Sequence, residues 1–403
     1  MSFENISLGK TSIEIIDGDR GKNYPKQNEF TEKGYCLFLS AKNVTTEGFE
    51  FSEKNFISAE KDSLLRKGKL QRNDIVLTTR GTVGNVAYYH NRVYYNNIRI
   101  NSGMVILRVN KNEFFPDFVY WLFRSSLIQN QIKSIKTGSA QPQLPIMIMK
   151  NLTLIKPELD SQQKIASILS SLDDKIELNN RMNKVLEQMA QAIFKHWFVD
   201  FEFPNEDGDP YKSSGGEMEW CEELGKEIPK GWKFGLLSDL LIVRYGRDHK
   251  KLASGSIPVY GSGGIMRFVD KALYSSESVL IPRKGTLNNV IYVSDPFWSV
   301  DTMFFTEMKL PHIAKFIYLF LKEKDLASMN VGSAVPSMTT DILNNLGIVI
   351  PSNNILFKFD ELVSLLFKQI SMKQKENSVL SNIRDTLLPK LMSGEIDVSE
   401  IEL

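Results

Sequence analysis

The chain has 403 residues, enough for two or three domains that each bury a core. With 42% hydrophobic and 24% charged residues it has the composition of an ordinary globular protein, and no apolar run reaches the roughly 18 residues of a membrane span. The net charge of +1 hides a regional imbalance: residues 200–227 hold ten acids against two bases, and the last ten residues hold four acids and no base.

Residues 1–157 read as a first mixed α/β unit. Asp74–Thr79, Asn85–Tyr89 and Met104–Val109 are rich in Val, Ile, Leu and Tyr and are separated by Gly and Asn, the pattern of strands. Pro116 suits a first helical turn, and the spacing predicts one helix from there to about Lys136, stopped by Gly138. Asn151–Ile155 reads as a buried strand closed by Pro157. Ten residues between 61 and 111 are basic and only Asp62 and Asp74 are acidic there, while no acid occurs between Asp117 and Glu158. Such a surface attracts phosphate.

Residues 158–199 follow as a long helix. Positions 165, 169, 172, 176, 179, 183, 186, 190, 193 and 197 alternate steps of four and three, and only Asn179 and Asn183 among them are polar. This is a coiled-coil seam with two polar breaks, which fix register and partner number. Residues 200–230 form the acidic linker, in which Pro204–Gly216 reads as a loop. Residues 231–352 read as a second unit, with strands at Val279–Ile281, Val290–Val293, Met303–Thr306 and Leu346–Ile350 and a helix at Pro311–Lys324. Residues 353–403 supply a second long helix over about 355–392, then an acidic tail.

The chain thus contains itself twice. Gly138-Ser139-Ala140-Gln141-Pro142 returns 194 residues later as Gly332-Ser333-Ala334-Val335-Pro336, and Asn151-Leu152 as Asn345-Leu346. At the same offset the seam residues Ile165, Leu169, Leu172 and Ile176 become Phe359, Val363, Leu366 and Ile370. Leu186 and Ile193 become Leu380 and Leu387, and the polar breaks become Lys373 and Asn377. These apolar positions are the candidates for packing one long helix on the other. The expected fold is α+β, two mixed units in pseudo-two-fold repeat joined by two rods that would each reach roughly 55 Å.

Catalytic signatures fail. Gly9-Lys10-Thr11 lacks the glycine a phosphate loop needs at position 4, which is Glu4. Asp295-Pro296-Phe297-Trp298 is one proline short of an amino-methyltransferase box, and Gly261-Ser262-Gly263-Gly264 lacks nucleophile-elbow spacing. His90, His196, His249 and His312 are scattered, and Cys36 and Cys221 match no metal spacing. We therefore expect no enzyme activity, and no metal or cofactor bound by this chain. From the isolated cysteines and the absence of a signal pattern near Glu4 we expect it in the cytoplasm, away from membranes.

What remains are loops suited to nucleic acid. Arg80 and Thr82 flank Gly81, and Arg283, Lys284 and Thr286 surround Gly285. Backbone N–H groups, bases and hydroxyls are the common donors to DNA phosphates. Lys136, Thr137, Ser139, Gln141 and Gln143 line the first repeated loop and Ser333 the second; the glutamines can pair with adenine edges. Arg244, Tyr245, Arg247 and Lys250, with Tyr260 and Ser262, complete the candidates.

The chain resembles the DNA-specificity subunits of type I restriction–modification systems over nearly its whole length. Ile168 to Asn180 and Phe194-Lys195-His196-Trp197-Phe198-Val199-Asp200-Phe201 are similar to the family's central spacer, and Arg384 to Gly394 to its C-terminal spacer. Ile257 to Gly264 with Gly285-Thr286 resembles the second target-recognition domain. The resemblance implies two target-recognition domains, each reading half of a bipartite asymmetric site in double-stranded DNA. It also implies antiparallel spacer helices that dock two modification (adenine methyltransferase) subunits, joined by restriction subunits that act as translocases. S-adenosylmethionine, ATP and Mg would belong to those partners. The alternatives left open are a methyltransferase-only system and a coiled-coil scaffold.

Overall fold

The computed structural model describes residues 3–136, 142–330 and 336–401. Its chain forms two compact units: Met1–Leu178 with Lys375–Leu403, and Asn179–Gln374. Each unit takes a segment of both long helices, Leu159–Phe194 and Asn353–Ser393.

In the first unit a four-stranded antiparallel sheet runs in the order Glu14–Asp17, Met104–Arg108, Ile75–Thr78, Val86–Tyr88. Its central strands are apolar up to their last residues, Thr78 and Arg108, because both faces are covered. Ile75, Leu77, Val105 and Leu107 share a core with the helix Pro116–Arg124, whereas Val76, Met104 and Ile106 face a second core with Leu37, Ile98 and Ile100. That second core belongs to a three-stranded sheet, Phe56–Ile57, Cys36–Leu39, Ile98–Ile100, whose last pair is parallel. A two-stranded ribbon, Glu4–Ser7 with Thr153–Lys156, closes the unit.

The helix expected over 116–136 is two helices, Pro116–Arg124 and Ser126–Ile135. The break falls at Ser125, which is fully buried and leaves helical geometry (φ −66°, ψ 153°) while its hydroxyl donates to the Leu122 carbonyl at 2.6 Å. A serine hydroxyl that competes for the backbone in this way commonly ends a helix. The bend turns Ile128 and Ile132 into the same core.

The second unit repeats this topology. Leu241–Tyr245, Met303–Met308, Ser278–Pro282 and Ile291–Val293 form its four-stranded sheet, and Gly264–Val269, Ile257–Gly261 and Trp298–Ser299 its three-stranded one, again with one parallel pair. Lys233–Leu236 with Gly347–Ile350 is the closing ribbon, and the helix is Ala314–Lys322.

The ten seam positions of each long helix are all buried or half-buried. In the first unit Ile165 and Leu169 lie in one core with Leu391, and Leu387 packs against it; Lys175 pairs with Glu376 at 3.5 Å and Asp173 with Arg384, so the segments run antiparallel there. In the second unit Phe194, Trp197 and Phe198 pack on Phe359 in the core that holds Val363, with Ile193 and Leu366 against it.

Residues 200–230 differ from the expected open linker. A π turn, Lys195–Val199, ends the first long helix, and Phe203 then stacks between Tyr211 and Trp232 at 4.5 and 4.8 Å. Asn205 Oδ1 accepts from the N–H groups of Asp207 and Asp209, and Met218–Cys221 pairs with Lys226–Pro229. The aromatic side chains fold the acidic segment onto the second unit's core while its carboxylates stay outside.

Candidate nucleic-acid interface

The two units build one loop junction twice. In the first, the N–H groups of Thr79 and Arg80 both donate to the Gly103 carbonyl at 2.8 and 3.1 Å, and Leu144 N–H donates to the Thr79 carbonyl at 2.9 Å. Arg80 is bridged to Gln143, and the chain turns at Gly81 with φ 72°. In the second, Arg283 and Lys284 donate to the Thr302 carbonyl at 2.8 and 3.2 Å, and Met338 N–H donates to the Arg283 carbonyl at 2.9 Å. Lys284 is bridged to Ser337, and the turn is at Gly285 with φ 88°. Glycine is needed at both turns because other residues enter positive φ at a cost. In each unit, then, backbone bonds tie the exit of a central strand, a β-turn and the residues just after the repeated Gly-Ser-Ala loop, and leave a base and a hydroxyl at the rim.

Side chains brace each junction. Asn101 Oδ1 accepts from Gly103 N–H at 2.8 Å, Gln129 Nε2 donates to the Gly84 carbonyl at 2.9 Å, and the Thr78 hydroxyl donates to the Thr82 carbonyl. In the second unit Arg283 Nη1 donates to the Asp301 carbonyl at 3.1 Å with its guanidinium 5.4 Å from the Tyr245 ring centre, and Asn289 Nδ2 donates to the Ser262 carbonyl at 2.9 Å. The sequence offered no signal for Gln129 or Asn289, because each acts on a backbone group distant in the chain.

The expected site residues divide accordingly. Arg80 and Thr82 are exposed at one junction, with Gln143 half-buried beside them; Lys284 and Thr286 are exposed at the other, and Arg283, Tyr245 and Ser262 join them. Lys136 is exposed at the end of Ser126–Ile135. Thr137, Ser139, Gln141 and Ser333 lie outside the described residues. Arg244 pairs with Glu307 at 3.0 Å, and Tyr260 is half-buried, packing on Phe297 with its hydroxyl pushed up in pKa by burial. Arg247 and Lys250 are exposed; the Arg247 backbone is held by Ser299 and by the Trp298 indole.

The run of bases over 61–111 is less available to phosphate than its count suggests. Lys69 and Arg99 both pair with Asp62, Arg108 pairs with Asp74, Lys61 with Glu29, and Arg92 with Asp174 and Glu177. Arg72 donates to the carbonyls of His90 and Val93. Arg80 keeps no carboxylate partner among the described residues. Burial, with Asp62 nearby, pushes the Cys36 thiol up to about 12, so this cysteine is an inert core residue. Among the described residues no group of His, Cys, Asp and Glu is arranged to hold a metal, and no helix is long and apolar enough to cross a membrane.

A family model, the type I restriction modification DNA specificity domain, matches residues 13–188 and 229–380, one match in each half of the chain. The MjaIX specificity subunit of a type I restriction enzyme from Methanocaldococcus jannaschii is 30% identical over 356 residues, covering 82% of this chain and 79% of that protein. The HindI specificity subunit from Haemophilus influenzae is 25% identical, covering 94% and 98%. The crystal structure of a type I restriction–modification S subunit from M. genitalium superposes with a TM-score of 0.55 at 19% identity, over 97% of this chain and 96% of the other.

Proposed function

Because the chain belongs to the type I restriction–modification DNA specificity family, whose members are non-catalytic recognition components, we propose that its two units each read one half of a bipartite, asymmetric DNA site. The duplicated junction carries this reading. Two copies of one backbone frame each present a base and a threonine at the rim, Arg80 and Thr82 in the first and Lys284 and Thr286 in the second, beside unlike bridged neighbours, Gln143 and Ser337. A bipartite target with unlike halves requires such a pair, whereas a scaffold does not.

The repeat extends to the outside of the long helices. The first unit exposes Leu178, Val379 and Ile383, and the second exposes Met372, Val185 and Met189, the same three positions at the 194-residue offset. Apolar stripes on otherwise polar helices are docking faces. Their duplication favours two copies of one partner, which we assign to the modification subunits; a restriction subunit completes the assembly. S-adenosylmethionine, ATP and Mg act on those partners.

Exchange of residues 1–157 for the corresponding part of another specificity subunit tests the reading by methylome sequencing. We expect one half of the methylated motif to change. A change in both halves rejects independent readers.

A further inference from the structure

The three-stranded sheets of the two units differ in one respect. In the first unit the two antiparallel strands are covered: Cys36, Leu37, Phe38, Leu39, Phe56 and Ile57 are all buried. In the second unit the matching hairpin, Ile257–Gly261 with Gly264–Val269, exposes Ile265, Met266 and Phe268 at 54%, 58% and 49%. The fold therefore accommodates a buried antiparallel pair at this place, and the exposure is particular to the second unit.

The register explains the display. A shift between Val259 and Tyr260 pairs Val259 with Arg267 but Tyr260 with Ile265, so Met266 is the extra residue of a bulge. Ile265 and Phe268 then fall on one face, with Tyr260 and Pro258. Bulges of this kind re-aim side chains beside functional sites.

The surroundings identify the occupant. Residues 241–271 carry Arg244, Arg247, Lys250, Lys251, Arg267 and Lys271 against Asp248 and Asp270. Arg267 Nη2 donates to the Leu252 carbonyl at 2.9 Å, tying the basic loop to the hairpin. The hairpin's tip is held against the second junction by the bond from Asn289 to the Ser262 carbonyl. An apolar projection in a cation-rich segment, joined to a candidate DNA-reading loop, matches the chemistry of a minor-groove wedge, in which aliphatic or aromatic side chains enter a base step and partly unstack it.

The geometry points to Ile265 and Phe268 as an apolar wedge that unstacks one base step in the half-site read by the second unit. The duplex is kinked there and not in the first half-site. This rests on the half-site reading above and adds to it a deformation that selects flexible steps without hydrogen-bonded base readout.

The test uses the full chain with the modification subunits that co-purify with it. A fluorescent base analogue is placed in turn at each position of both half-sites, and end-to-end energy transfer reports the bend. Binding should raise the analogue's fluorescence at one step of the second half-site only. Ile265→Ser with Phe268→Ser should abolish the rise, straighten the duplex and weaken binding about tenfold, with target preference at the first half-site intact. Ile265→Leu with Phe268→Leu should restore the rise. Target-specific binding without any rise, or a rise that the serine variant leaves intact, overturns the wedge alone. No preference of the wild-type complex for its target over a scrambled duplex overturns the half-site reading, and the wedge with it.

Discussion

Where the first unit meets the long helices, Asp173 holds two cations: Arg384 pairs with one carboxylate oxygen, and Arg124 lies 3.5 Å from the other. The side chains are 27%, 10% and 13% exposed. Burial opposes the charge on Arg384, but its bonds to Asp385 and Asp173 outweigh that and hold its pKa above the usual guanidinium range. At the 194-residue offset the second unit has Phe367 for Asp173 and Ala190 for Arg384, both in one core; at the matching ends of the helices Pro116–Arg124 and Ala314–Lys322, it places Lys322 over Tyr318 where Arg124 lies over Tyr120. One unit thus solves this contact with charge and the other with aromatic packing. Removing one partner of a buried pair costs about 3–5 kcal/mol because a charge is left unpaired, and the partial exposure of Asp173 puts Asp173→Ala near the lower end, about 3 kcal/mol. Replacing a whole charged cluster with fitted apolar groups is often neutral. Arg124→Lys with Asp173→Phe and Arg384→Ala, which transplants the second unit's solution, should therefore fall within about 1 kcal/mol of the native chain. The two units can unfold separately, so amide hydrogen exchange over residues 116–135 is the appropriate reporter. A loss below about 0.5 kcal/mol for Asp173→Ala, or a triple variant as unstable as the single losses summed, refutes the reasoning.

Four residues inserted after Asn180 add about 6 Å of helix at 1.5 Å per residue; the gap in the methylated motif should lengthen while the bases on either side stay the same, and an unchanged gap in the methylome removes the helices from spacing. Lys136→Ala and Arg80→Ala should each weaken DNA binding about equally on all sequences and flatten the slope of log affinity against log salt by roughly 0.9. Gln143→Ala should leave that slope alone and relax discrimination at one position by about 1–3 kcal/mol. Titrations of matched and single-mismatch duplexes at several salt concentrations separate these, and a uniform loss for Gln143→Ala rejects base reading by that residue.

The parts of this fold that could be read from the sequence are those whose burial is two-sided. Ile75–Thr78 and Met104–Arg108 are continuous apolar runs because a core lies on each face, and such runs announce themselves. The partner strands Glu4–Ser7 and Glu14–Asp17 hold no fully buried residue and are polar at their ends, so nothing in them signals pairing with Thr153–Lys156 or Met104–Arg108. The count of bases over 61–111 was equally blind to Asp62, Asp74 and Asp174, which neutralise several of them across the fold. Composition made residues 200–230 a linker, yet four aromatic side chains (Phe201, Phe203, Tyr211 and Trp232) fold it, since a few large apolar groups outweigh many solvated carboxylates.

The junctions themselves explain why a site can be duplicated without being copied. Every bond common to the two is made by backbone: strand exit to turn carbonyl, returning segment to strand carbonyl, glycine at the bend. None of them depends on a side chain, so Arg80 can stand where Lys284 does, Gln143 where Ser337 does, and Gly103 where Thr302 does without loosening the frame. The proposed reading of unlike half-sites needs this separation, because phosphate contacts fix position while base-facing side chains carry the sequence information. The bracing residues then differ by necessity. Asn101 and Gln129 steady the first frame, and Arg283, Tyr245 and Asn289 steady the second, each set suited to the rim it supports.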